Sequence, residues 1–344
     1  MTDWPMYAGW AASRSSPVCG ENRWRRDQTH ATIYGMRIET PTAELLHQAA
    51  EMPTMPAVGM TPDQIQTEIA AGRLQPHWSQ VALDDDGNII GRALWWGRDE
   101  HKPIALDVWD AVAGHDSPEA ILSALLERGH AALEAHGTRT PLPHTMRVPV
   151  TWRDNTAVAH DVHAKIAAAA AAGLRQHNER RQFQWDQGSP MQEPGPRLRF
   201  EQADDSTFID LIARAAHGPL DVTTRRELAT TDTLSLARDE VDYYRSCPGD
   251  RDWWRVAYDQ QGTINGIAIP SATPTNRNVG YLAVLPEYRG HGYVDDLLAF
   301  ITAFHATAGA PRITATTDAV NTPMAAAFTR AGYRCTETRI DLEP

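Results

Sequence analysis

The chain has 344 residues, enough for two domains with separate cores. Its composition, 42% hydrophobic and 22% charged, is that of an ordinary globular protein. The formal net charge of −12 argues against a general nucleic-acid or anionic-membrane surface.

Cys19, Cys247 and Cys335 are far apart and odd in number, so they support neither a disulfide framework nor a Cys-x-x-Cys metal knuckle. His160-Asp-Val-His163 sets two imidazoles one helical turn apart. Without a third ligand in register this is a solvated face, and no metal is expected. The first residues carry Trp4, Pro5 and Trp10 but no apolar run of a signal peptide. The alanine run from Ala167 to Ala172 is too short to cross a membrane. A cytoplasmic protein without membrane contact is the expectation.

Residues 1–34 show no period and read as an N-terminal arm whose one concentrated feature is Arg23-Trp-Arg-Arg26. Met36–Glu39 is then expected as a strand and Thr42–Met52 as a helix capped by Thr42. Thr61-Pro-Asp-Gln opens a second helix that ends near Gly72. Ser79–Leu83, the turn Asp84-Asp-Asp-Gly-Asn88 and Ile89–Trp96 make a hairpin, with a third strand at Ile104–Trp109. Pro118–His136 has Ile121, Leu122, Leu125, Leu126 and Leu133 at helix spacing, with Ser117 as its expected cap. Thr145–Trp152 reads as a strand, Thr156–Ala172 as a helix and Arg180–Trp185 as a strand. Asp186–Pro196, rich in Gly, Pro and Ser, then reads as a linker.

The second half repeats this order of elements. Leu198–Glu201 is strand-like, Asp205–His217 and about Thr224–Arg245 are helical, and Trp253–Tyr258 and Ile264–Ile269 flank the turn Asp259-Gln-Gln-Gly262. Strand alternation sends one of Trp253 and Trp254 inward. Asn278–Leu285 is a strand, followed by Pro286-Glu-Tyr288, the loop Arg289-Gly-His-Gly-Tyr-Val294, and an amphipathic helix through Phe304. Arg312–Thr316 is a further strand, and Asn321-Thr-Pro-Met324 and Ala331-Gly-Tyr333 close the series. A strand, a glycine loop and a helix start together make an anion site, because glycines let the backbone approach the ligand and the helix amides point at it. The loop lacks the third glycine of a dinucleotide-binding fingerprint.

That series resembles the GNAT acyltransferases, which hold acetyl-CoA by its pyrophosphate on an R-x-x-G-x-G/A loop. Arg289, Gly292 and Val294 fit that pattern, and Asn321–Tyr333 is similar to the family's N-x-x-x…G-F/Y segment. The resemblance implies an α/β (α+β) fold of two tandem GNAT-like domains, each a mixed, mostly antiparallel sheet flanked by helices. Their expected limits are 35–186 and 197–344, with 187–196 between them, a layout that resembles tandem GNAT proteins such as mycothiol synthase. The segment Asp110–Pro118 of the first half has one glycine and no arginine, so that half is expected to be a degenerate copy without a phosphate cradle.

The resemblance further implies that Leu282, Ala283 and Val284 pair with the pantetheine arm. Arg289, Gly290, His291, Gly292, Tyr293 and Val294 would take the pyrophosphate. Asn321 would lie near the pantetheine, and Phe328 would stand where relatives place a tyrosine that protonates the thiolate. Phenylalanine has no proton to give. No carboxylate lies between Asn278 and Pro286, where many relatives carry a glutamate base. Asp318 is therefore the expected base, with Glu240 and Asp242 as more solvated alternatives.

The expected activity is acyl-CoA-dependent N-acylation of a small-molecule amine, most simply acetylation, by direct attack on the thioester. Two alternatives stay open: aminoacyl-tRNA as donor, the one case in which nucleic acid would be a partner, and a non-catalytic CoA-binding module.

Overall fold

The computed structural model describes residues 35–55, 57–273 and 276–344. The expected arm, with Cys19 and Arg23–Arg26, lies outside the described residues. Contacts group the chain into two units. One runs up to Pro143 and includes Asp161–Leu174; the other comprises His144–His160 and Arg175–Glu343.

In the N-terminal unit β1 (Arg37–Glu39), α1 (Ala43–Ala50), α2 (Pro62–Ala70), β2 (Gln80–Leu83), β3 (Ile89–Trp96), β4 (Ala105–Ala111) and α3 (Pro118–Ala135) follow the expected order. The strands lie in the order β1-β2-β3-β4, every pair antiparallel. Local chemistry explains the boundaries. Thr42 Oγ1 accepts from the Leu45 N–H at 3.2 Å, and Thr61 and Gln64 form a reciprocal capping box. Asp84 accepts from the amides of Asp86 and Asn88 and so shapes the β2–β3 turn. Ser117 departs from expectation: its side chain caps nothing, and Pro118 alone opens α3. That helix lies tightly on β3, since a Cβ at Gly129 would come within 2.0 Å of the Trp95 ring.

At the end of β4 the chain is filled by a buried ion cluster. Arg92, 0% exposed, donates from Nε and Nη2 to Asp110 Oδ2 at 3.0 and 2.9 Å. Its Nη1 donates to the last carbonyls of α1, Ala49 and Ala50. Lys165 Nζ reaches Asp110 Oδ1 at 2.8 Å. Burial pushes the Asp110 carboxyl up, but Lys165 and Arg92 outweigh it and hold the group below its ordinary value.

The remaining elements are β5 (His144–Val148), α4 (Thr156–Ala171), β6 (Arg175–Asp186), β7 (Arg199–Glu201), α5 (Asp205–Ala215), α6 (Val222–Glu227), α7 (Thr233–Ser246), β8 (Arg255–Tyr258), β9 (Ile264–Ala272), β10 (Arg277–Val284), α8 (Tyr293–Thr307), β11 (Arg312–Asp318), α9 (Thr322–Arg330) and β12 (Arg334–Glu343). Within the C-terminal unit the strand order is β5-β12-β6-β11-β10-β9-β8-β7. Only β10 and β11 run parallel.

Four features differ from the sequence reading. The stretch Thr224–Arg245 is two helices, α6 and α7, each started by its own aspartate, Asp221 and Asp232. Trp253 closes a short 3-10 turn, and Trp254 behind it is the buried member of the pair. The strand expected at Thr145–Trp152 stops at Val148. Finally β12 is a strand the reading had not drawn. It pairs with β5 on one side and β6 on the other, while β6 also pairs with β11. The last strand of each half is thus hydrogen-bonded to the fifth strand of the other half. β5 and β6, which the reading placed in 35–186, are grouped with the C-terminal unit.

Two apolar clusters hold the C-terminal sheet. Under α8 and α9 lie Phe183, Trp185, Ile313, Leu297, Leu298, Ile301 and Phe328; under α5 and α7 lie Phe208, Leu211, Ile212, Val241, Val256, Ile267 and Ile269. Each large side chain so buried contributes about 1.5–3 kcal/mol.

Candidate functional site

β10 and β11 part company in the middle of the sheet. Their parallel register covers Arg277 opposite Ile313 and Asn278 opposite Thr314, and no further. A bulge at Gly280 turns β10 away. The glycine is needed there, with φ of 68° and room for no Cβ, which would sit 2.1 Å from the Ile269 carbonyl oxygen. Beyond it, Tyr281–Val284 pair only with Ile269–Gly266 of β9, and Thr316–Asp318 only with Gln182–Arg180 of β6. Two strand edges therefore face each other across a wedge, with backbone donors and acceptors unclaimed by strand pairing. Tyr281 and Ala283 pack toward α5 and α7, whereas Leu282 and Val284 pack toward α8.

The wedge leads to the loop. After the turn Pro286–Tyr288, Gly290 and Gly292 adopt φ of 81° and 76°. Gly292 is the N-cap of α8 and offers no side chain to the first-turn amides. Among the described residues the Gly290, His291 and Gly292 N–H groups have no hydrogen-bond partner. With the positive end of α8 behind them, they form an anion cradle. Tyr293 and Val294 open the helix, both partly buried.

Arg289 is placed differently from expectation. Its guanidinium donates to the carbonyls of Ala215 at 2.6 Å, His217 at 2.9 Å and Gly218 at 3.0 Å, where α5 ends. Nε adds Val284 O at 3.3 Å. The side chain thus ties the loop to α5 and leaves the amides of Gly290–Gly292 as the loop's free donors among the described residues. The exposed His291 ring stays within its own loop, Nδ1 lying 3.0 Å from the Arg289 carbonyl. A cation that the sequence reading missed is Arg197. It donates to the carbonyls of His291 and Gly292 at 3.2 Å, pairs with Asp296, and lies over the Tyr293 ring. No spacing in the sequence links Arg197 to a loop some ninety residues later.

The catalytic candidates scatter. Asn321 caps α9, its Oδ1 accepting from the Met324 N–H at 3.3 Å. Phe328 is 2% exposed and stacks on Phe183 at 4.9 Å. Asp318 is also 2% exposed, with Oδ1 accepting from Asn178 Nδ2 at 2.6 Å and Oδ2 from the Val222 N–H at 2.5 Å. Burial, then the Asp221 carboxylate, push it up, against the hydrogen bonds from Val222 and Asn178. Asp242 is exposed. Glu240 is partly buried and has no hydrogen-bond partner among the described residues. Burial, followed by Glu227, Asp221 and Asp239, pushes its carboxyl up to about 7.

On the face where α5 and α7 cover Val256, Ile267 and Ile269, the sheet turns polar beyond the wedge. Asp318, Arg180, Arg339 and Arg147 stand opposite one another on β11, β6, β12 and β5, and so share a face. Arg180 pairs with Asp341 at 2.8 Å. α6 lies against this row through Val222 and through Arg226, which meets Glu343 at 2.7 Å. Among the described residues no group of three His, Cys, Asp or Glu side chains could hold a metal, and no helix is long and apolar enough to cross a membrane.

Residues 224–333 match the acetyltransferase (GNAT) family profile, a span that contains the wedge, the glycine cradle and α8. This chain carries a GNAT acetyltransferase domain. Among solved structures, a GCN5-related N-acetyltransferase from Sphaerobacter thermophilus shares the fold with a TM-score of 0.54 at 12% identity, over 91% of this chain and 96% of that one. A tandem GNAT protein from the clavulanic acid biosynthesis pathway aligns at 16% identity and a TM-score of 0.43, covering 89% and 97%. A GNAT-family acetyltransferase from Colwellia psychrerythraea aligns at 11% and 0.41, covering 89% and 99%. A search of curated proteins gives no match. The GNAT profile and the repeated element order bear out the mixed, mostly antiparallel tandem fold expected from sequence.

Proposed function

We propose that the GNAT domain transfers an acyl group, most simply acetyl, from acyl-CoA to the amine of a small molecule by direct attack on the thioester. One observation carries this reading: the unpaired edge of β10 leads, through the Pro286–Tyr288 turn, into a glycine-opened helix N-terminus. An extended pantetheine arm can complete the sheet in the wedge, as a peptide strand does in β-augmentation. Leu282, Ala283 and Val284 supply its backbone partners, and an N–H among them polarises the thioester oxygen. The pyrophosphate is held by the amides of Gly290–Val294, which Arg289 and Arg197 keep in place through carbonyl contacts.

The amine lone pair forms the new C–N bond while the carbonyl π pair moves to oxygen. That pair returns as the C–S bond breaks, its electrons leave on sulfur, and the nitrogen gives up its extra proton to solvent. Phe328 offers the sulfur no proton. A CoA thiolate is weakly basic, with a pKa of about 8.5, so protonation from water is adequate. Asp318 has each carboxylate oxygen engaged by a donor, which makes it a support for α6 rather than a free base.

The test is calorimetric titration of the full chain with acetyl-CoA, followed by a thiol-release assay on a panel of primary amines. Saturable donor binding and amine-dependent thiol release are the expected results. Donor binding without release from any amine would support a CoA-binding module instead.

A further inference from the structure

The cradle at the head of α8 carries charges that oppose its use. Asp295 and Asp296 occupy the first turn of the helix, where carboxylates suit the helix dipole but repel an anion held by the amides beside them. Each is met by an arginine from a distant part of the chain. Arg330, the last residue of α9, donates from Nε and Nη2 to Asp295 Oδ1 at 3.1 and 2.7 Å. Arg197, just before β7, donates from Nη2 to Asp296, and from Nη1 and Nη2 to the carbonyls of His291 and Gly292. Gly195 allows this close approach, since a Cβ there would stand 3.2 Å from Asp296 Oδ1.

The two signs of charge are not equally placed. The side chains of Asp296 and Asp295 are 9% and 23% exposed, against 51% and 53% for Arg197 and Arg330. The negative charge is therefore drawn in toward the helix, and the positive charge stands at the surface. A Cβ at Gly292 would lie 3.7 Å from Arg197 Nη2 and 4.0 Å from Asp295 Oδ2, so both ion pairs border the second glycine of the cradle. Arg197 is also held over the Tyr293 ring, 5.2 Å from its centre. Among the described residues, Arg197 Nε and Arg330 Nη1 donate to nothing. Each guanidinium thus keeps part of its planar fork of donors, the group best matched to a phosphate. Ion pairs half open to solvent add little to folding, so stability alone does not account for two of them at one mouth.

Resting on the donor reading above, we propose that Arg197 and Arg330 form a cationic rim that binds the ribose phosphate of CoA, while the loop amides hold its pyrophosphate. The two groups call for different partners. Each phosphorus of the pyrophosphate carries a single negative charge, and amides backed by a helix dipole suit it. The ribose phosphate is a monoester with a charge of about −1.5 to −2 at pH 7 and three terminal oxygens, which suit charged, forked donors. Asp295 and Asp296 orient those donors from behind. The rim thereby selects the carrier: it favours CoA over a carrier with the same pantetheine arm and pyrophosphate but no ribose phosphate. Arg197 acts on the donor and on the loop carbonyls together. Arg330 touches no loop carbonyl, so it acts on the donor through its charge and free donors alone.

The experiment is calorimetric titration of the full chain with acetyl-CoA and with acetyl-dephospho-CoA, which lacks only the ribose phosphate. Wild type is expected to bind acetyl-CoA about 10-fold or more tightly than the dephospho donor. Arg330→Gln and Arg197→Gln should each weaken both donors, acetyl-CoA the more, and so lower that preference. Part of this loss comes from the carboxylate left bare beside the cradle, and Arg330→Gln combined with Asp295→Asn removes that part. The double variant should bind the dephospho donor as wild type does and acetyl-CoA about 10-fold more weakly. Equal affinity of wild type for the two donors would overturn the rim, as would an undiminished preference in either single variant. Wild-type affinity for acetyl-CoA in the double variant would also overturn it, since the arginine would then only cancel the carboxylate. Failure of wild type to bind either donor would instead overturn the donor reading on which the rim rests. Thermal unfolding of each variant checks the fold, which the loss of half-exposed ion pairs should leave intact.

Discussion

The ends of β4 and β10 occupy the same place in the two halves' order of elements, and the chain uses them in opposite ways. After β4 the space is closed: Asp110 is locked between Arg92 and Lys165, and Arg92 also takes the carbonyls that end α1. After β10 the space is left open: the strand edge is unpaired, two glycines turn the backbone, and loop amides lack partners. In both halves an arginine satisfies the carbonyls at the end of the first long helix, Arg92 for α1 and Arg289 for α5. The difference lies in what else is present. A carboxylate and a lysine fill one site, while bare amides wait in the other. On the proposed reading, a shared scaffold carries the donor site in one copy and a structural plug in the other.

The largest expected effect is on the plug. Asp110→Ala leaves two buried cations without their anion, and the cost should be about 3–5 kcal/mol of stability by chemical denaturation. Acetyl-CoA affinity of the folded fraction should not change. If affinity falls with stability, the first half takes part in donor binding and the contrast fails.

Phe328→Tyr comes next. A hydroxyl placed between Phe183 and Tyr333 enters an apolar cluster, and Tyr333 Oη is already paired with Thr302 Oγ1 at 2.8 Å. Destabilisation of about 1–3 kcal/mol is expected in thermal or urea unfolding, without faster thiol release. An increase in turnover would show that the phenol reaches the sulfur from this position.

Arg289→Ala sharpens the contrast at smaller scale. Its guanidinium holds carbonyls, so its removal should loosen the loop and weaken acetyl-CoA by about 10-fold or less. Arg289→Lys should recover little, because an ammonium cannot serve three carbonyls in a planar fork. If instead lysine restores affinity in full, the charge at 289 acts on phosphate directly.

Much of this was legible in the sequence, for reasons that are themselves local. Thr42 and Thr61 announce helices because a hydroxyl satisfies amides a few residues away, and Gly290 and Gly292 announce a turn because other residues resist positive φ. What stayed hidden depends on distant partners. β12, Arg-Cys-Thr-Glu-Thr-Arg-Ile-Asp-Leu-Glu, is a polar strand whose hydrogen bonds come from β5 and β6, so its composition gave no sign of burial. The exchange of final strands is invisible for the same reason, and with it the grouping of β5 and β6. Asn321 is expected from sequence near the pantetheine, and only the fold shows its Oδ1 taken by the Met324 N–H. Glu240 looks solvated on an acidic helix, and only its placement near Asp221, Glu227 and Tyr281 distinguishes it from Asp242, two residues on and exposed.

The central claim is that the open end of β10, and not the plugged end of β4, binds the acyl donor. Calorimetric titration of acetyl-CoA into wild type and into Gly290→Asp tests it most directly. Asp tolerates the left-handed backbone better than most residues, and a Cβ at Gly290 meets nothing within 4 Å, so the fold should persist. A carboxylate beside the pyrophosphate should weaken binding by about 10-fold or more. The account predicts one site per chain in wild type and its loss or marked weakening in the variant. Two equivalent sites per chain, or full affinity with aspartate at 290, would contradict it.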